Sequence, residues 1–182
     1  MPLAYIALGA NLSSPAGPPE ATLAAATERL AAIGRIAARS SLYSTAPAGF
    51  AKQPRFVNAV LALETDLPPR GLLSMLLAIE YDFGRKRDPR RPNGPRTLDL
   101  DLIFYGDMVL GTSGLELPHP RFAARAFVLV PLHEIAPDFQ DPRSGKTVAQ
   151  LLEALQTPTS PDAATRIECD RWATISPAKI DP

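Results

Sequence analysis

The stretch from Leu98 to Leu102 alternates strictly between leucine and aspartate: Leu98, Asp99, Leu100, Asp101, Leu102. Period-two alternation marks a strand with one buried face. Leu98, Leu100 and Leu102 are therefore expected to enter a core, with Asp99 and Asp101 pointing together out of the opposite face. Side chains at i and i+2 stand about 7 Å apart, so both carboxylates can grip one small cluster of charge. Two anions at that spacing repel, and a divalent cation removes the cost. A hard ion such as Mg²⁺ is held by one or two carboxylates together with substrate phosphates. An ordinary solvated strand face would carry the same two aspartates, so their meaning depends on what flanks them.

What precedes them is strongly basic. Arg85, Lys86, Arg87, Arg90, Arg91 and Arg96 fall in one short segment opposed only by Asp88. Gly84, Pro89, Pro92, Gly94 and Pro95 in the same segment rule out helix or central strand. The formal net charge of the whole chain is +0, so this positive charge is concentrated rather than general. A solvated charge run or a nucleic-acid contact would read similarly. Carboxylates that hold metal beside arginines that hold phosphate oxygens are, however, the parts of phosphoryl transfer from a nucleoside triphosphate.

Composition narrows the alternatives. A chain of 182 residues, 46% hydrophobic and 21% charged, suits one domain with its own core. Net neutrality argues against a general nucleic-acid or membrane-surface binder. The single cysteine, Cys169, excludes an intrachain disulfide and a cysteine metal cluster. The start of the chain lacks the basic region of a signal peptide, and no apolar run reaches membrane-spanning length. A cytoplasmic setting is expected, with no membrane or nucleic-acid partner.

Along the chain, Leu3 to Leu8 reads as a buried strand. Pro18 and Pro19 suit a helix start, with Leu23, Ala26, Leu30 and Ile33 at helical spacing up to Gly34. Ile36 to Tyr43 reads as a second strand and Phe56 to Leu63 as a third, with Phe56, Asn58, Val60 and Ala62 on one face. Asp66 is the expected cap of a second helix, whose stripe is Leu72, Leu76, Ile79 and Phe83. The diacidic strand follows. Met108 to Leu117 reads as another extended segment or a hairpin arm, Phe127 to Ile135 as a helix broken at Pro131, and Val148 to Leu155 as a last amphipathic helix. The order predicts an α+β fold, a ferredoxin-like antiparallel sheet (βαββαβ core) with helices on one side. Residues 1–156 are expected to form the domain and 157–182 a loosely packed tail.

At these residues the chain resembles a known family. Gly94 to Asp101, read as GPRTLDLD, is similar to the signature of 6-hydroxymethyl-7,8-dihydropterin pyrophosphokinases of folate biosynthesis. In-order flanks carry the likeness from Ala4 to about Leu155: YIALGANL at Tyr5–Leu12, LYST at Leu42–Thr45, FVNAVLALET at Phe56–Thr65, Ile79-Glu80, and ELPHPRF at Glu116–Phe122. The resemblance implies transfer of pyrophosphate from ATP to the pterin hydroxymethyl group, with release of AMP. It implies that Asp99 and Asp101 hold two Mg²⁺ and that Arg85 and Arg96 are the catalytic arginines. Arg87, Leu102, His119 and Arg125 would meet ATP. Phe56 and Phe127 would sandwich the pterin, Asn58 would read its edge, and Thr45, Ala46 and Ala48 would contact the remaining edge. A monomer acting on these two small molecules is expected.

The chain departs from the family pattern at a few points. Pro92 and Asn93 stand where a basic residue and an aromatic usually precede the GPR run, Gly114 where an arginine often meets ATP, and Asp88 where some members carry lysine. Two other readings compete with this one. A single-strand RNA binder would need an overall basic charge and the aromatic motif of RNA-recognition sheets, and would give Asp99 and Asp101 no role. A catalytically silent relative would have no use for the retained diacid and arginines.

Overall fold

Strand β1 (Leu3–Ala10) is the central axis, pairing antiparallel with β4 (Phe56–Glu64) on one side and β5 (Asp99–Tyr105) on the other. The computed structural model describes residues 1–47, 52–87, 94–155 and 164–175. The sheet has the order β5-β1-β4-β3-β8, with β2 (Arg35–Arg39) also pairing with β4. Here β3 is Leu42–Thr45 and β8 is Thr165–Ile167. A separate hairpin joins β6 (Leu110–Thr112) to β7 (Leu115–Leu117), so the stretch expected as one extended segment or arm holds two short arms. Among the described residues the result is a mixed fold of four α-helices and antiparallel sheet.

Helix α1 (Pro19–Ala31) buries Leu23, Ala26 and Leu30, and α2 (Pro69–Asp82) buries Leu72, Leu76 and Ile79. Both stripes enter one core with Ile6 and Leu8 of β1, Leu61 and Leu63 of β4, and Leu98, Leu100 and Leu102. The leucine face of the alternating stretch is thus buried as expected. Asp66 does not cap α2: the cap position is Pro68, whose extended backbone feeds Pro69 straight into the first turn without a side-chain hydrogen bond.

Helices also cover the opposite face, which corrects the expectation of helices on one side only. Helix α3 (Ala126–Ile135) and α4 (Val148–Ala154) pack there against Tyr5, Ala7, Val60, Ala62, Ile103 and Phe104. The central strands are apolar on both faces, so each face requires a cover. Helix α3 runs through Pro131 without breaking; Val128, Leu129, Leu132 and Ile135 are buried around it, and that packing outweighs the one backbone bond the proline cannot donate.

The expected strand Ile36–Tyr43 is two strands meeting at a buried joint, Ser40-Ser41. Ser40 Oγ accepts from the Val60 amide at 3.0 Å and donates to the Ser41 carbonyl at 2.8 Å. The Ser40 amide still donates to the Val60 carbonyl at 2.9 Å, but the side chain takes the return bond from the Val60 amide, and the strand breaks there. The chain after Thr157 carries no clear pattern, yet residues 164–175 lie against the sheet: β8 pairs with β3, and Trp172 is buried in the α1–α2 core.

Candidate active site

The front of the α3 face is where the sheet changes character. Toward the rear, inward residues on this face are apolar: Tyr5 and Ala7 on β1, Val60 and Ala62 on β4. Toward the front they become Gly9, Asn58, Phe56 and Asp99, with Asp101 one rung behind, beside Ala7. The register places Asn58, Gly9 and Asp99 on one rung across β4, β1 and β5. Helices α3 and α4 cover the rear and leave the front as a cleft of about 480 Å³. Its walls include Thr45, Ala46, Pro47, Phe56, Arg96 and Phe127.

Asn58 is buried on the cleft floor and donates from Nδ2 to Thr45 Oγ1 at 2.7 Å. Gly9 leaves room for the amide's other end. A Cβ at position 9 would lie 2.9 Å from Asn58 Oδ1, closer than such atoms approach. Phe56 and Phe127 line the cleft from β4 and from the first turn of α3. Each ring carries a guanidinium over its face: Arg96 at 5.5 Å from the Phe56 centroid and Arg125 at 5.4 Å from the Phe127 centroid.

The carboxylates sit among arginines. Asp99 accepts from Arg85 at 3.1 Å and from Arg96 at 2.7 Å, while Asp101 accepts from Arg125 at 3.1 Å. Asp99 faces the aromatic cleft; Asp101, one i+2 step along β5, faces His119 and Arg125. Burial lowers the Arg85 pKa from its ordinary value and Asp99 opposes that shift. Burial also pushes the His119 imidazole down, with Asp101 pulling the other way. Its backbone amide is fixed by the Ile103 carbonyl at 2.9 Å, next to a register shift in the β1–β5 ladder. Glu80 is held above the usual carboxylate range by burial; it accepts from the Leu100 amide at 2.8 Å and pairs with the half-exposed Arg87.

Most of the sequence-predicted residues therefore converge. Thr45, Ala46, Phe56, Asn58 and Phe127 share the cleft with Arg96, Asp99 and Arg125, and Arg85, Arg87, Asp101 and His119 lie around its β5 edge. Leu102 does not join them: its side chain is buried in the α1–α2 core, on the face opposite Asp101, leaving only its main chain on the edge strand. Ala48, Asp88, Arg90, Arg91, Pro92 and Asn93 lie outside the described residues. Gly114 forms the turn of the β6–β7 hairpin at φ 81°, a left-handed backbone that disfavours an arginine.

Sequence reasoning missed the part played by Asn11. This buried side chain accepts from the Arg96 amide at 2.8 Å and donates to Gln53 Oε1 and the Pro54 carbonyl at 3.1 and 3.0 Å. It clips the loop before β5 to the loop before β4. The only local signal was its place after Gly9 and Ala10, because its partners lie 42 to 85 residues away. Gly9 and Glu80 were noted only within motifs, and their contacts are likewise non-local.

Comparison with known proteins agrees with this geometry. The model of the 7,8-dihydro-6-hydroxymethylpterin-pyrophosphokinase family matches residues 5–137, and the chain belongs to that family. It is 49% identical over 150 residues to a 2-amino-4-hydroxy-6-hydroxymethyldihydropteridine pyrophosphokinase of Pseudomonas aeruginosa, covering 82% of this chain and 90% of that one. A protein of the same name from Methylorubrum extorquens is 42% identical over 170 residues, covering 92% of this chain and all of the relative. Among solved structures, a Plasmodium falciparum HPPK-DHPS shares the fold with a TM-score of 0.63 at 14% identity, over 84% of this chain; the chain spans 45% of that longer protein.

Proposed function

We propose that this chain transfers the pyrophosphoryl group of ATP to the hydroxymethyl group of 6-hydroxymethyl-7,8-dihydropterin, releasing AMP, as a Mg²⁺-dependent step of folate biosynthesis. One observation carries the reading. The rung Asn58–Gly9–Asp99 brings a flat aromatic slot and an arginine-bound carboxylate into a single cleft. The strand order β5-β1-β4 followed by β2 and β3 suits a ferredoxin-like core to which β8 is added.

The acceptor ring lies between Phe56 and Phe127. Asn58, whose Nδ2 is committed to Thr45, presents its carbonyl oxygen to a donor on the ring edge. Stacking moves the two guanidiniums off the rings toward phosphate oxygens, which arginine grips bidentately. The hydroxymethyl group then projects toward Asp99. The triphosphate runs along β5 past Asp101 toward His119 and Arg87, with the Leu102 main chain at the strand edge. Burial lowers the His119 pKa and so favours the uncharged imidazole as a hydrogen-bonding partner for the nucleotide.

The donor set fits magnesium. Asp99 and Asp101 offer only oxygen, and among the described residues no cluster of three Asp, Glu, His or Cys could enclose an ion. This suits a hard cation that completes its shell with phosphates and water. Two such ions supply charge neutralisation and an in-line template for the transferred phosphorus. Arg85 and Arg96, already oriented by Asp99, steady the charge that develops there. Incubation with ATP, Mg²⁺ and 6-hydroxymethyl-7,8-dihydropterin should yield AMP in step with pterin consumed. Formation of ADP, or of AMP at the same rate without the pterin, would refute the assignment.

A further inference from the structure

Residues 164–175 lie beyond the segment that matches the family, yet they are fastened to the strand that forms one wall of the cleft. Strand β3 has only four residues, and β4 holds it through Tyr43, Ser44 and Thr45 alone. On its other side β8 pairs with Leu42, Tyr43 and Ser44. Trp172 donates from its indole N–H to the Ser40 carbonyl at 2.8 Å, at the joint between β2 and β3. Arg39 stacks on the Trp172 ring at 4.4 Å and donates from Nε to the Ala173 carbonyl at 2.8 Å. The backbones of Arg39 and Ile175 exchange bonds of 2.8 and 3.0 Å. The segment thus grips β2, the joint and β3 in turn.

We infer that residues 164–175 position the acceptor slot, with Trp172 and Arg39 as positioning residues acting through β3. The inference rests on the reading of Asn58, Phe56 and Phe127 as the pterin slot. Thr45 ends β3 and accepts the Asn58 Nδ2 proton, so the position of β3 decides which way the Asn58 amide points. Thr45, Ala46 and Pro47 themselves line the cleft. Movement of β3 would turn the amide and widen the slot together. Asp99 and Asp101 stand on β5, across β4 and β1 from β3, and Arg85 and Arg96 are bound to Asp99. Helix α3 is tied to β3 more directly, because Glu134 accepts from the Ser41 amide and hydroxyl and from the Tyr43 hydroxyl. The β5 carboxylates and their two arginines are therefore farther from this movement than the slot is.

The test compares affinities in the full-length chain. Trp172→Ala and Arg39→Ala are titrated calorimetrically with 6-hydroxymethyl-7,8-dihydropterin and, separately, with a non-hydrolysable ATP analogue and Mg²⁺. Trp172 is the chain's one tryptophan, so a red-shifted emission in Arg39→Ala reports release of the segment without deleting the buried ring. Pterin affinity should fall by at least about fivefold, the loss expected of one misdirected hydrogen bond, with the ATP analogue's affinity unchanged. Trp172→Phe, which keeps an aromatic ring but not the indole N–H, should lie between. Wild-type pterin affinity in an Arg39→Ala protein whose emission has shifted would overturn the proposal. So would an equal fall in both affinities, the mark of general loss of structure. An Asn58→Ala control separates the two readings. If that change leaves pterin affinity intact, the slot itself is misassigned; if it weakens pterin binding while the two segment variants do not, only the role of residues 164–175 fails.

Discussion

The two faces of the sheet are made by the same three strands, β1, β4 and β5, and differ in what they carry. Under α1 and α2 the face is uniformly apolar from Ala4 to Leu100, and helices cover it. Under α3 and α4 the cover is partial, and the strands change from Tyr5, Val60 and Phe104 at the rear to Gly9, Asn58 and Asp99 at the front. The difference teaches where a fold can hold chemistry. Groups that bind charge need a rigid floor and an open front, and a sheet supplies both when one face is left half-covered.

Substitutions on the two faces should therefore separate activity from stability. The largest effect is expected from Asp101→Asn, which keeps size but removes the carboxylate charge: turnover should fall by about 10²–10³-fold, with thermal stability little changed. EDTA should abolish turnover in the unaltered protein. Asp99 makes a harsher case. Its removal strands Arg85, whose side chain is 9% exposed, so Asp99→Ala should lose stability as well as activity. Scanning calorimetry beside an AMP assay distinguishes the two patterns.

On the opposite face, Leu76→Ala should cost about 2–5 kcal/mol of stability and leave the pterin KM unchanged, as denaturant titration and kinetics would show. A Leu76 variant that unfolds little but loses substrate affinity would break the contrast between the faces. Next in size is the shared rung. Asn58→Ala should weaken pterin binding by about 1–3 kcal/mol, and Gly9→Ala should do the same by displacing Oδ1, both with ATP affinity preserved in calorimetry. The smallest effect is ionic. Contacts that half-exposed Arg87 would make with nucleotide are open to screening by salt, so ATP affinity should fall with ionic strength more steeply than pterin affinity does.

What the sequence settled by itself was what local order controls. Alternation at Leu98–Leu102, helical spacing at Leu72, Leu76 and Ile79, and the diacid beside its arginines each need only neighbouring residues. They announced the strand, the helix and a cluster of carboxylates and arginines, and motif likeness supplied the family. The tertiary structure decided what depends on distant partners. Asn58, Gly9 and Asp99 form one rung only because β4 and β5 flank β1 in that register. Asn11 clips its loops across 42 to 85 positions, and Ser40-Ser41 break a strand because the Val60 amide is there to meet Ser40. Helices on both faces, an unbroken α3 and a docked Trp172 follow from burial against surfaces assembled from the whole chain. Periodicity reports which residues prefer to be buried; only the packed chain specifies against what.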